Sequence, residues 1–258
     1  MTARAEHAHR DDRGADTKTA YRNDLAYIHD AGFGGFAAGA APWLLKTLHA
    51  SGIERGLVVD LGCGSGIWSA ALAQAGYGVL GFDISPAMLA MCRQRVPTGE
   101  FRQATFLDAK LPRCVAVTAL GEILGYLFDR QNTPARIERL FRRIYRALEP
   151  GGLFIFDVAL PGRAPGGRAQ NYREGEDWAC LHVAVEDPRQ RTLTRHITSF
   201  RKVGELYRRE HEVHRLRLYD RGQLVRQLRA IGFKVRTLSG YGAMKFPPGY
   251  VGLIARKP

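Results

Sequence analysis

The chain has 258 residues, of which 45% are hydrophobic and 24% are charged, and its formal net charge is +13. These values are ordinary for one large α/β domain that carries an additional segment. No apolar run approaches the roughly 20 residues of a membrane helix and the polar N-terminus is unlike a secretory signal, so we expect a cytoplasmic enzyme without a membrane partner.

The N-terminal part predicts a tail followed by two helices. Residues 1–20 lack apolar periodicity and are predicted to be disordered, so a single domain is expected over residues 21–258. Apolar residues at helical spacing predict one helix from Tyr21 to Ala31 and another from Ala37 to Ala50, separated by a glycine-rich break. These helices, residues 21–51, precede the first strand.

A glycine-rich turn follows the first predicted strand, which includes Leu57 to Val59. The run Asp60-Leu61-Gly62-Cys63-Gly64-Ser65-Gly66 lets the backbone turn sharply and approach a ligand closely. A helix from Ile67 to Ala75 comes next, and the second strand ends at Asp83, the position at which such folds place a carboxylate on ribose hydroxyls. This pattern predicts binding of a nucleoside-bearing cofactor.

The glycine spacing disfavours a nicotinamide dinucleotide. A dehydrogenase motif would place its third glycine at position 67, but the chain has Ile67 there and a glycine at 66. A dehydrogenase is therefore the weakest of the alternatives, and an adenosine without a pyrophosphate is favoured.

The remaining elements complete a doubly wound sheet. N-cap residues before prolines predict helices over 86–96 and 134–148, strands are expected at 101–106, 115–120 and 153–157, and a helix capped by Asp220 precedes two last strands at 233–241 and 250–256. The expected sheet has seven strands. From Trp178 to Tyr219 the pattern changes to three extended runs, which predict an antiparallel β insertion over residues 172–219.

The run from Val58 to Gly66 closely resembles the first motif of class I S-adenosylmethionine (SAM)-dependent methyltransferases. The resemblance extends over residues 57–159, through Phe82 to Leu89 and through the Glu149-Pro150-Gly151-Gly152 turn with the strand after it. It implies an α/β, Rossmann-like, seven-stranded and mostly parallel sheet with helices on both faces. It also implies that the N-terminal helices form a lid, with Tyr27, His29, Phe33 and Phe36 as candidates to close the site, and that the insertion forms the acceptor pocket.

The same resemblance assigns roles in SAM binding. The glycine loop would approach the methionine part of SAM, Asp83 would take the ribose hydroxyls, and Ile84 and Met88 would cover the adenine. The adenine amine contact stays open between Thr105, Phe106 and Asp108, with the backbone around Phe106 ranked first. The expected cofactor-binding set is Asp60, Gly62, Cys63, Gly64, Gly66, Trp68, Asp83, Ile84, Met88, Thr105, Phe106 and Gly121.

Catalytic candidates follow the fourth strand and lie in the insertion. Glu122 and Tyr126 would lie nearest the transferable methyl group, where Glu122 would position the ammonium group of SAM or act as a base. We select His211 as a third candidate from a group of possible bases that also includes Arg195, His196, Arg209, Glu210 and His214. Because their separation is odd, His211 and His214 point to opposite faces of a strand, so at most one faces the pocket.

Several chemistries are disfavoured. The segment from Leu120 to Tyr126 replaces the Asn/Asp-Pro-Pro-Tyr/Phe motif of many nucleobase and glutamine methyltransferases, and Cys114 does not have the Pro-Cys spacing of cytosine C5 enzymes. The four cysteines show neither zinc-site nor disulfide spacing, so we expect reduced thiols and no metal.

The expected function is transfer of a methyl group from SAM to an oxygen or nitrogen atom of a small-molecule acceptor, by in-line displacement. The acceptor is expected to be anionic if several insertion arginines point inward. Basic residues are spread along the chain rather than clustered, which favours a solvated surface over a nucleic-acid site. An RNA methyltransferase and a non-catalytic SAM-binding protein remain alternatives, and the oligomeric state is not predicted.

Overall fold

In a computed structural model of the protein, residues 20–258 are described. Of the tail expected to be disordered, residues 1–19 lie outside the described part. The six helices of the described part are α1 Asn23–Phe33, α2 Gly35–Ala50, α3 Ile67–Gln74, α4 Pro86–Arg95, α5 Pro134–Ala147 and α6 Arg221–Ile231. Within residues 20–258 no helix combines the length and apolarity needed to cross a lipid bilayer.

A seven-stranded sheet forms the centre of the fold, as predicted. In chain order its strands are β1 Leu57–Leu61, β2 Gly78–Asp83, β3 Glu100–Gln103, β4 Cys114–Ala119, β5 Leu148–Ala159, β10 Lys234–Leu238 and β13 Tyr250–Arg256. Their spatial order is β10-β13-β5-β4-β1-β2-β3, and β13 runs in the direction opposite to that of the other six strands. The strand order reverses between β1 and β4, which is where ligands bind in such sheets.

Helices cover both faces of this sheet because the strands are apolar on both sides. Buried residues of β1, β4 and β5 pack against α5 and α6 on one face, and a second cluster packs against α2, α3 and α4 on the other. Leu140, Phe141 and Ile144 lie on the buried stripe of α5, which shows the three- and four-residue spacing expected of a half-buried helix.

The insertion is a four-stranded antiparallel sheet. Its strands are β6 Arg168–Glu174, β7 Trp178–Asp187, β8 Thr192–Val203 and β9 Leu206–Arg217, paired in chain order. The sequence predicted three extended runs after 178, so β6 is an addition. A further two-stranded ribbon, β11 Gly240–Tyr241 and β12 Met244–Lys245, precedes β13. Leu25 and Ile28 of α1 pack against the inner face of the insertion.

Candidate cofactor and acceptor site

A cavity lies at the carboxyl ends of β1, β2 and β3, beside the point where the strand order reverses. Gly62 contributes from the glycine loop, Ile123, Tyr126 and Phe128 come from the segment after β4, and Tyr21 closes the cavity from the N-terminal side. The neighbouring strand ends contribute Phe82, Asp83, Ile84, Ala104, Thr105 and Phe106. Asp129 completes the lining, so sequence-distant segments meet at one largely apolar cavity that also carries the carboxyl groups of Asp83 and Asp129.

Asp83 is held in place by the backbone around it. Its Oδ2 accepts the Gly64 N–H at 2.9 Å and its Oδ1 accepts the Ser85 N–H at 2.8 Å. Burial raises the pKa of the Asp83 carboxyl above its usual value, although these backbone hydrogen bonds oppose the rise. Each carboxylate oxygen has two lone pairs, so the fixed group retains the capacity to accept hydrogen bonds from a diol.

The glycine loop leaves room for a ligand at one position. Gly62, Gly64 and Gly66 all have positive φ, at 70°, 54° and 83°. A Cβ at Gly64 would meet no atom within 4 Å, whereas one at Gly66 would lie 2.5 Å from the Cys92 Sγ. Gly64 therefore borders open space, while Gly66 allows α4 to pack closely. The open space at Gly64 lies beside Asp83, whose carboxylate accepts the Gly64 N–H.

Asp60 lies below this loop and is fully enclosed by other side chains. Its carboxylate accepts the Ser69 hydroxyl at 2.9 Å and the Thr118 hydroxyl at 2.8 Å, and the Trp68 indole N–H donates to Thr118. Burial raises the pKa of Asp60 to about 6 despite these hydrogen bonds. Asp60 thus ties β1 to α3 and β4 and does not line the cavity.

The raised pKa of Asp60 predicts a pH-dependent stability. Because the folded-state pKa exceeds the unfolded value, the folded protein binds the proton more tightly, so stability from this group rises as pH falls from about 6 toward 4. Relative to Asp60→Asn, we expect wild type to gain about 1 kcal/mol of unfolding free energy between pH 7 and pH 5. Urea unfolding of both proteins at the two pH values measures this. If the difference in unfolding free energy between the two proteins is the same at both pH values, the raised pKa of Asp60 is contradicted.

The residues predicted to contact adenine divide into two groups. Ile84, Thr105 and Phe106 line the cavity. Asp108 is exposed and hydrogen-bonds to Arg136 instead, so the structure does not place it in the cavity. The backbone around Phe106 therefore remains the first candidate for the adenine amine.

Four other residues of the predicted cofactor set lie behind the cavity lining. Trp68 and Met88 are buried, at 3% exposure each, and are not among the residues that line the cavity, so their contact with the cofactor stays a prediction. Cys63 is buried with its thiol against the sheet, where a Cβ at Gly81 would lie 2.8 Å from its Sγ. The N–H of Gly121 donates to Asp157 at 3.1 Å. These residues shape the cavity through packing and backbone position.

Glu122 is an ion-paired residue. It has a left-handed backbone with φ of 64°, and the Asp157 carboxylate holds its N–H at 2.6 Å. Its own carboxylate accepts hydrogen bonds from Arg163 Nε at 2.7 Å and from Arg195. Burial opposes the charge of Glu122, but the two guanidinium groups outweigh it and lower its pKa. A carboxylate with a lowered pKa and two cationic partners is a poor general base.

Tyr126 faces the cavity and connects two parts of the site. Its hydroxyl lies 3.1 Å from the Tyr21 hydroxyl and accepts a hydrogen bond from Arg195 at 3.2 Å. Tyr21 is in turn anchored, because its N–H donates to Glu212 and its carbonyl accepts from the Ser85 hydroxyl. The N-terminal segment is thereby fastened both to the insertion and to the start of α4.

The structure corrects the choice of His211. On β9 the residues 212, 214 and 216 face inward, and His211 lies on the exposed outer face, 3.1 Å from the Thr198 hydroxyl. His214 faces inward instead and is 1% exposed, with its ring beside Tyr21 and Phe128. The alternation of strand residues predicted that at most one of the two histidines faces the pocket, and His214 is the one on the buried inner face of β9.

Sequence reasoning missed three residues of the site. Arg163 precedes the insertion and contacts Glu122, Asp157 supports the Gly121-Glu122 backbone and also accepts from Tyr241 and Tyr250, and Tyr21 closes the cavity in place of the proposed lid residues. Of those, Tyr27 instead hydrogen-bonds to Asp177. The position of Asp157 at a strand end was the signal available for it, but nothing local marks Arg163.

Within residues 20–258, no group of three or more histidine, cysteine or acidic side chains is arranged to hold a metal ion. The four cysteines are buried, and none of them is in a disulfide.

Comparison with known proteins relates this geometry to methyltransferases. Residues 58–152 match the model of a family described as "Methyltransferase domain". The chain is 26% identical over 206 residues to the Bacillus subtilis (strain 168) protein named "Putative methyltransferase YqeM", and the match covers 75% of this chain and 80% of that protein.

Solved structures share the fold over nearly the whole chain. A SAM-dependent methyltransferase from Clostridium acetobutylicum ATCC 824 has a TM-score of 0.76 at 16% identity, covering 91% of this chain and 98% of the other. CalS10, described as an amino pentose methyltransferase from Micromonospora echinaspora and solved with bound SAM, has a TM-score of 0.73 at 19% identity, covering 90% and 97%. At these identities the similarity establishes the fold.

Proposed function

We propose that the chain is a class I SAM-dependent methyltransferase that transfers a methyl group from SAM to an oxygen or nitrogen atom of a small molecule, and the methyltransferase-domain match, the relatives and the shared fold support this proposal. SAM would occupy the cavity beside Asp83 and the glycine loop. The acceptor would lie between this cavity and the inner face of the insertion.

The observation that carries the proposal is the open space at Gly64 next to the fixed carboxylate of Asp83. A ribose diol can donate to Asp83, while Ile84 and Phe106 offer apolar surfaces for a purine. Thr105 lines the same wall. The chain has Ile67 where a dinucleotide site has its third glycine, which agrees with a cofactor that has an adenosine and no pyrophosphate.

For methyl transfer from SAM, the protein mainly has to orient the two reactants and exclude water. When bound, SAM supplies an activated methyl group that carries its own leaving group. Tyr21 and Tyr126 close the cavity on the side facing the insertion, so these residues would keep water from the reacting atoms. Orientation of two reactants can lower a reaction barrier by roughly 7 to 11 kcal/mol. A general base would therefore contribute less to the rate than orientation does.

The insertion supports a small acceptor. Its inner face presents Arg195 and His214, and Arg163 reaches the same region from the segment before β6. Of these two guanidinium groups only that of Arg195 belongs to the insertion, so they do not amount to the several inward-pointing insertion arginines for which an anionic acceptor was expected. Glu122 is paired with both, so the anionic character of the acceptor stays a prediction.

One surface feature bears on the RNA alternative. A wide cleft at the opposite end of the sheet is lined by Lys110, Arg113, Arg143, Arg146 and Lys257. It adjoins the beginnings of β4 and β5, whereas the cofactor cavity lies at the strands' carboxyl ends. A nucleic acid held in this cleft would lie away from the transferable methyl group. If the cleft binds a nucleic acid, the affinity for RNA should fall steeply as the salt concentration rises.

The proposed function predicts binding of SAM and of its demethylated product, S-adenosylhomocysteine (SAH), to the full chain. Calorimetry with each compound, and with NAD as a negative control, measures this. Transfer is then measured with labelled SAM and a small-molecule extract from the source cells. Binding without transfer would support the non-catalytic alternative, and binding of NAD alone would contradict the proposal.

A further inference from the structure

Two buried nitrogen atoms on the inner face of the insertion have no hydrogen-bond partner among the described residues: Nε of Arg195 and Nδ1 of His214. The two residues are directly opposite each other in the pairing of β8 with β9, so their side chains are neighbours on one face. Leaving a buried polar atom unpaired costs free energy, and such atoms in native proteins commonly await a ligand or water.

The hydrogen bond to Glu212 sets which ring nitrogen of His214 carries the proton. His214 Nε2 lies 2.9 Å from the Glu212 carboxylate, which also accepts the N–H groups of Tyr21 and Arg22. Burial opposes the charge of Glu212, but these donors outweigh it and lower its pKa, so the group is an ionised acceptor. The Nε2 atom must therefore carry the hydrogen, and in the neutral ring Nδ1 presents a lone pair.

Arg195 supplies the complementary group. Its two terminal nitrogens donate to Glu122 and to the Tyr126 hydroxyl, which leaves the Nε–H as the donor without a partner. The site thus offers one N–H donor and one nitrogen lone pair side by side.

We propose that the methyl acceptor presents a hydroxyl group to these two nitrogens, and that the protein is an O-methyltransferase. This inference rests on the proposed methyl transfer and names the atom that receives the methyl group. A hydroxyl oxygen has two lone pairs, so it can accept the Arg195 Nε–H with one and attack with the other while its hydrogen is donated to His214 Nδ1. A neutral amine has a single lone pair and cannot do both, and an ammonium group would place a positive charge beside Arg195.

The transfer step is balanced by these two residues. The hydroxyl oxygen forms a bond to the methyl carbon as the carbon–sulfur bond breaks, and the electron pair of that bond stays on sulfur. The hydroxyl proton passes to His214 Nδ1, and Glu212 stabilises the resulting imidazolium. The net charge is unchanged, because the positive charge leaves sulfur and appears on the imidazole.

Both nitrogens are shielded from solvent in the structure. The Tyr21 ring lies 4.9 Å from the His214 ring, centroid to centroid. The Phe128 and Tyr126 rings lie 4.8 and 5.9 Å from the same imidazole, so the acceptor reaches the buried pair only when part of this aromatic cover moves aside.

The first experiment locates the transferred methyl group. The full chain is incubated with 13C-methyl-labelled SAM and the small-molecule extract, and the methyl carbon of each product is assigned by NMR to oxygen or nitrogen. Label on oxygen supports the inference. Label on nitrogen overturns the inference but leaves the methyltransferase function intact. Absence of any labelled product contradicts both.

The second experiment compares two histidine variants on one strand. We expect His214→Gln to lower kcat about a hundredfold, the lower range for loss of a general base, with SAH affinity within twofold of wild type. His211→Gln changes the same residue type on the outer face and should leave both values unchanged. SAH affinity shows that the His214→Gln variant is folded, and a kcat within threefold of wild type would overturn the assignment.

The pH profile provides a readout that a purely structural role would not change. Burial lowers the pKa of His214, Glu212 partly restores it and Arg195 lowers it further, while Tyr21, His29, Tyr126 and His182 are the other titratable groups around the ring. Because the base must be neutral, kcat should fall as the pH drops below the His214 pKa. The residual activity of His214→Gln should lack this acidic limb, and a retained limb would contradict the role.

Discussion

Replacing Asp83 with alanine is expected to weaken SAM binding by about 1.5 to 3 kcal/mol, which is roughly a 10- to 150-fold increase in Kd. The carboxylate is the group placed to accept the ribose hydroxyls, and the backbone N–H groups of Gly64 and Ser85 fix its orientation. The variant therefore loses charge-assisted hydrogen bonds to the ligand and the anchor of the glycine loop together. Calorimetric titration of both proteins with SAH measures the change.

Asp108→Ala is the matched control for this prediction. Asp108 was the alternative acidic candidate for the cofactor, but its side chain is exposed and contacts Arg136 outside the cavity. We expect its SAH affinity to equal that of wild type. Asp83→Asn adds a second comparison, because it keeps the shape of the side chain while it removes the charge and replaces one accepting oxygen with an amide donor. Equal affinity in Asp83→Ala and wild type would reject the ribose role.

Replacing Glu122 with alanine is expected to lower the free energy of unfolding by about 3 to 5 kcal/mol. Glu122 is 4% exposed and Arg195 is 9% exposed, and the carboxylate is the shared counter-ion of Arg195 and Arg163. Removing it leaves two guanidinium groups near each other, one of them buried, without a negative partner. Urea unfolding monitored by circular dichroism at neutral pH measures the loss.

Two comparisons test the electrostatic origin of this loss. Glu138→Ala removes a carboxylate that is paired with Arg142 on the exposed face of α5, so it should leave the unfolding transition nearly unchanged. The double variant Glu122→Ala with Arg195→Ala should lose less stability than the sum of the losses in the two single variants. Each single change leaves the partner's charge without its counter-ion, whereas the double change removes both charges. Additive losses, or a Glu122→Ala transition close to that of Glu138→Ala, would contradict the role of the ion pair.

Local signals predicted most helix boundaries because caps act within a few residues. Ser85, Thr133 and Asp220 each accept a backbone N–H three residues later, as their positions before α4, α5 and α6 predicted. Strand β6 was missed because Arg168–Glu174 is almost entirely polar and exposed, so it carries no alternating apolar pattern. Its hydrogen bonds to β7, and not its own composition, make it a strand.

The sequence alone determined the class of the protein. The glycine turn after β1 and the acidic end of β2 are local features, and their chemistry depends on backbone freedom and on one carboxylate, both of which can be recognised from residue type and spacing. For the same reason the seven-stranded sheet and the cavity beside Asp83 were predicted from periodicity and chain order.

Only the tertiary structure decided what surrounds the acceptor. Glu122 meets Arg163 and Arg195, which are 41 and 73 positions away in the chain, and these contacts give a candidate base an ion-pairing role. Strand alternation showed that His211 and His214 face opposite ways, but the face that packs on the site depends on how the insertion sheet docks. Such long-range contacts depend on packing between whole elements, and no local pattern of residues encodes them.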